Sequence, residues 1–65
     1  MTIKEINKEL SELISQDEKI VDIDHFTQDG SEFVSVVSIS INHVVWKRSF
    51  YIENNELHFL SAECL

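Results

Sequence analysis

At Lys19 the spacing of apolar residues changes from steps of three and four to steps of two, which limits the chain to one helix followed by strands. Before that point Ile3, Ile6, Leu10, Leu13 and Ile14 recur on one side of a helix, while Lys4, Glu5, Lys8, Glu9 and Glu12 fill the other. Thr2 followed three residues later by Glu5 has the form of a capping box, in which hydroxyl and carboxylate each take an orphan backbone N–H. The helix is predicted to begin at Thr2 or Ile3. It is predicted to end between Ser15 and Asp17, where polar residues replace the stripe.

Beyond Lys19, β-branched and aromatic residues alternate with polar ones, interrupted by Asp29-Gly30, Asn42-His43 and Asn54-Asn55. Four strands follow: Lys19 to Gln28, Glu32 to Ile41, Val44 to Glu53 and Glu56 to Ser61. Gly and Asn accept positive φ, so all three dipeptides suit short hairpins. A two-residue turn at Asn42-His43 sets Ile39 opposite Trp46 and Phe33 opposite Ile52; one at Asn54-Asn55 sets Ile52 opposite Leu57 and Phe50 opposite Phe59. For the first hairpin a three-residue loop with a Gly bulge is expected. It places Val21 and Ile23 on the core face and keeps the carboxylates of Asp22 and Asp24 away from it.

The expected fold class is α+β, a single domain over residues 1–65 with one N-terminal helix packed on a four-stranded antiparallel β-meander. The expected core is Val21, Ile23, Phe33, Val37, Ile39, Ile41, Val44, Trp46, Phe50, Ile52, Leu57 and Phe59. A 65-residue chain buries only ~60% of its unfolded surface, so stability is expected to be marginal. The lone cysteine, Cys64, cannot form an internal disulfide, which fits a reducing compartment. Charges interrupt the apolar residues of the first 13 positions, leaving no signal-peptide core and no membrane span. A cytoplasmic protein with no membrane partner is expected.

Charge is distributed unevenly. Of twelve acidic and five basic residues, nine acidic and three basic lie in residues 1–32, and the run from Phe33 to Trp46 has no charge. The net charge of −7 disfavours direct contact with phosphate backbones. Trp46, Lys47, Arg48, Phe50 and Tyr51 interleave aromatic and basic residues, but the expected register turns Trp46, Arg48 and Phe50 toward the helix.

Catalytic patterns do not assemble. No pair among His25, His43 and His58 has helical metal-ligand spacing, and Cys64 lies one residue from the C-terminal end with no evident base. An EF-hand loop begun at Asp22 would put Phe26 where an oxygen ligand is needed. Gly30 is the only glycine, so there is no phosphate cradle. The chain is expected to be no enzyme and to use no metal or cofactor.

Protein recognition remains, with two candidate surfaces. The first is an acidic band of Glu9, Glu12, Asp17, Glu18, Asp22, Asp24 and Asp29, suited to a basic partner such as the nucleic-acid groove of an enzyme. An inhibitor of this kind, of a type common among phage and mobile-element proteins, mimics DNA or RNA with carboxylates in place of phosphates. The second is an open sheet face with Val34, Val36, Val45, Tyr51 and Leu60, which would pair two copies into a homodimer. A small enzyme or ligand-binding subunit ranks third, because a two-layer domain of this size has little room for a pocket.

Overall fold

A computed structural model describes residues 1–65. Helix α1 (Ile3–Leu13) is followed by β1 (Lys19–Gln28), β2 (Ser31–Ile39), β3 (Val45–Glu53) and β4 (Glu56–Cys64), which form one open antiparallel sheet in the order β1-β2-β3-β4. The meander expected from the periodicity is therefore present, with β4 three residues longer at its end.

Both halves of the capping box form. Thr2 Oγ1 accepts from Glu5 N at 3.2 Å, and Thr2 N donates to Glu5 Oε1 at 3.1 Å. The backbone donor at Thr2, with its hydroxyl second, holds the Glu5 carboxyl below its ordinary range. The helix stops at Leu13, earlier than expected, with Ile14 N donating to Leu10 O. Ser15 explains the stop: its Oγ accepts from Asp17 N and its carbonyl from Glu18 N, a local turn that competes with another helical turn.

The outer hairpins close through two residues each, both at positive φ: Asp29 (52°) with Gly30 (80°), and Asn54 (53°) with Asn55 (61°). This is the turn geometry that matches strand twist. The second was expected; the first corrects the three-residue loop. Its extra residue lies instead at Val21, where the β1–β2 register shifts between Ile20 and Asp22. Asp22 and Asp24 still point away from the helix.

The middle hairpin corrects the expected register. Ser40 N donates to Val44 O and His43 N to Ser40 O, so Ile41, Asn42 and His43 form a three-residue loop with His43 at φ 64°. Ser40 Oγ caps it by accepting from Val44 N at 3.1 Å. One added residue shifts the pairing to Phe33 opposite Tyr51, Val34 opposite Phe50 and Ile39 opposite Val45, which turns β2 over relative to β3.

The core is rearranged accordingly. Val34, Val36 and Ser38 of β2 lie fully buried under Ile6 and Leu10 of the helix and Ile14 at its C-cap, joined by Phe50 and Leu57, with Ile20, Ile23 and Ile52 at the margin. Phe33, Val37 and Ile39 occupy the opposite face, Val21 bulges out, and Ile41 and Val44 belong to the loop region. Trp46 and Phe59 keep the expected face but are not enclosed, Phe59 being 61% exposed. Small Val and Ser side chains line the central strand beneath the helix, while Phe50 and Leu57 supply bulk beside it.

Candidate interaction surface

Directly paired residues share a face, so the register defines the side of the sheet that carries no helix. Across it, Phe26 pairs with Phe33, Phe33 with Tyr51, and Tyr51 with His58: one aromatic row crossing all four strands. Phe26 and Phe33 stack with ring centroids 5.6 Å apart, and Tyr51 and His58 stack at 4.8 Å. The next row is small and polar, with Asp24, Ser35, Ser49 and Ser61. Val37, Ile39 and Val45 follow toward the far end of the sheet. The β3–β4 register shift near Phe50 accommodates the exposed Leu60 beside the aromatic row.

Charges border this apolar centre. On β1 the open face carries Asp22 and Asp24; at the other side it carries Glu53, Glu56 and Glu63, with Lys19 and Lys47 as its only basic side chains. None of these seven forms an ion pair within the chain, whose salt bridges are His25–Glu32 and Arg48–Glu18.

The expected acidic band is divided by the sheet. Glu9 and Glu12 are on the helix, Asp17 is in the following loop, Asp22 and Asp24 are on the opposite face, and Asp29 is in the first turn. Glu18 departs from that expectation most. Its carboxylate accepts from Arg48 Nη1 at 2.8 Å, Arg48 Nη2 at 3.1 Å and Ser38 Oγ at 2.9 Å, and only 10% of its side chain is exposed. The Arg48 guanidinium, ahead of burial and the Ser38 hydroxyl, sets the balance and holds the Glu18 carboxyl below its ordinary range. Glu18 is thus occupied inside the fold.

Of the residues expected on an open face, Val45, Tyr51 and Leu60 are there. Val34 and Val36 are not: both are buried against the helix because the three-residue loop turns β2 over. Phe26 and Phe33 take their place. The signal for them was the Asp29-Gly30 dipeptide itself, since a strict two-residue turn there sets Phe26 against Phe33.

The histidines are dispersed. His25 meets Glu32 at 2.9 Å on the helix side, His43 is in the middle loop, and His58 is in the aromatic row. No group of three or more His, Cys, Asp or Glu side chains converges in a metal-binding arrangement. Trp46 lies beneath Arg48, whose guanidinium carbon is 5.6 Å from the ring centroid, so these two residues do not form a free stacking platform. No helix is long and apolar enough to cross a membrane. Comparison with protein-family models, with curated proteins and with solved structures found no match.

Proposed function

We propose that this chain is a non-catalytic protein-binding module that presents its helix-free sheet face to a basic protein surface. The aromatic row, bordered on both edge strands by unpaired carboxylates, carries this reading. Apolar centres with polar rims are the usual anatomy of interfaces. A four-stranded face of about 20 by 25 Å offers roughly 500 Å² per partner, near the ~1,000 Å² total of a specific contact.

Charge favours a basic occupant. A second copy would bring its own five carboxylates against this rim, whereas a basic surface neutralises them and is steered toward them. Inhibition by nucleic-acid mimicry remains one form of the same reading, carried by Asp22, Asp24 and Asp29 and without Glu18. The homodimer is the competing form, favoured by the small enclosed core.

The test captures partners from the source cell at low and high salt, using wild type, an Asp22→Lys/Asp24→Lys variant and a Glu9→Lys/Glu12→Lys variant. Basic proteins recovered at low salt, lost at high salt and lost only in the sheet-face variant are the expected outcome. Loss in the helix variant alone moves the site to the other side of the molecule. Sedimentation that gives a salt-resistant dimer of wild type replaces the basic partner with a second copy.

A further inference from the structure

The two aromatic stacks of the open face do not join. Phe33 and Tyr51 are directly opposite across β2 and β3, yet each ring stacks outward, Phe33 on Phe26 and Tyr51 on His58. A solvent-open trough of about 430 Å³ is lined by Phe33 from one stack and Tyr51 from the other, with Leu60, Glu53, Ile52 and the Gly30-Ser31 segment also in its wall. That volume is within the range of small-ligand sites. The Glu53 carboxylate makes no ion pair and no side-chain hydrogen bond, while the Glu53 backbone carbonyl accepts from His58 Nε2 at 3.3 Å. Glu32 also lines the trough, but its carboxylate is held by His25.

We infer that this trough is an anchor for an arginine side chain of the partner, its guanidinium seated against the Phe33 and Tyr51 rings and paired with the Glu53 carboxylate. Resting on the open-face reading, it names the group that face recognises. Guanidinium is planar, weakly hydrated and stacks on aromatic faces while its N–H fork addresses a carboxylate; ammonium is compact, strongly hydrated and does neither as well. Leu60 covers the aliphatic stem that a long cationic side chain buries. The aromatic and acidic groups therefore fit one side chain together, where either alone would fit many.

The probe is N-butylguanidinium, titrated into the isotope-labelled full chain at constant ionic strength and followed by NMR, with butylurea as the neutral isostere and butylammonium as the non-planar cation. Saturable shifts should centre on Phe33, Tyr51 and Leu60, with butylurea at least about tenfold weaker and butylammonium about threefold weaker. Glu53→Gln should weaken butylguanidinium about three- to tenfold, and Tyr51→Leu should weaken it about threefold. Equal binding of butylurea, shifts centred on Asp22 and Asp24, or insensitivity to Glu53→Gln overturns the anchor. Absence of saturable binding also overturns it. If partner capture still depends on Asp22 and Asp24 in that case, the open-face reading stands without this anchor.

Discussion

Glu18 shows how one side chain can be removed from a surface by its neighbours. Ser38 is fully buried, donates to Glu18 and accepts from Arg48 Nη1 at 3.0 Å, so hydroxyl, guanidinium and carboxylate satisfy one another between the post-helix loop and the sheet. Arg48 is only 21% exposed, and taking away the carboxylate leaves its charge largely covered and unpaired. A fully buried broken pair costs about 3–5 kcal/mol; with partial solvent access Glu18→Gln should cost about 2 kcal/mol in urea unfolding. The pH dependence follows from the lowered folded pKa. A depressed carboxylate stabilises the fold above its unfolded value of about 4.3 and loses that contribution as pH falls through the folded value. Wild type should therefore lose stability below about pH 4.5, and Glu18→Gln should flatten that acid limb. Acid limbs of equal steepness would show that the pair contributes nothing to acid unfolding. Glu5, held down by the cap, adds in the same direction in both proteins.

At the scale of elements, the middle turn determines which face each strand presents. His43 adopts φ 64°, a conformation that L residues with a side chain occupy at a cost of about 1–2 kcal/mol. His43→Gly should relieve about 1 kcal/mol of this and raise the thermal midpoint by roughly 4–8 °C without moving the register. A fall in midpoint would mean that the imidazole stabilises the loop by more than its backbone strain. Local chemistry made the helix, its cap and the Asn54-Asn55 turn legible in the sequence, because each depends on residues within a few positions. The β2–β3 register was not legible. Two- and three-residue loops around Asn42-His43 differ by one position, and β2 is apolar on both faces, with Val34 and Val36 on one and Phe33, Val37 and Ile39 on the other. Alternation could not choose between them. Val45, Tyr51 and Leu60 could be placed because β3 and β4 were oriented correctly, whereas Phe33 lay on the strand that turned over. Asp22 and Asp24 faced away from the helix as expected, but because β2 turned over while the first turn kept two residues, not because of a bulge at Gly30.

At the scale of the whole molecule, a small enclosed core works against a large net charge. Only 8 of 65 residues are buried, and the chain exposes 4611 Å², against about 4,300 Å² for a compact monomer of this mass. A core this small supplies about 3–5 kcal/mol at most, so mutual repulsion among the carboxylates is a substantial opposing contribution. At 0.01 M ionic strength the screening length is about 30 Å, close to the 36 Å long axis, and carboxylates on the helix and on the sheet face repel across the molecule. At 0.15 M it falls to about 8 Å and only neighbours interact. The Glu18–Arg48 pair is covered and screened little, so little attraction is lost with the repulsion. Raising sodium chloride from 10 to 150 mM should therefore stabilise the free chain by about 1 kcal/mol, read as a thermal midpoint higher by roughly 4–8 °C. The same change should weaken a complex with a basic partner, because there the carboxylates attract. Opposite salt slopes for folding and for binding separate a charge-steered interaction from salt acting through stability alone. If the free chain's midpoint falls instead, its internal ion pairs outweigh its net charge, and weaker binding at high salt must then be corrected for unfolding before it is assigned to the open face.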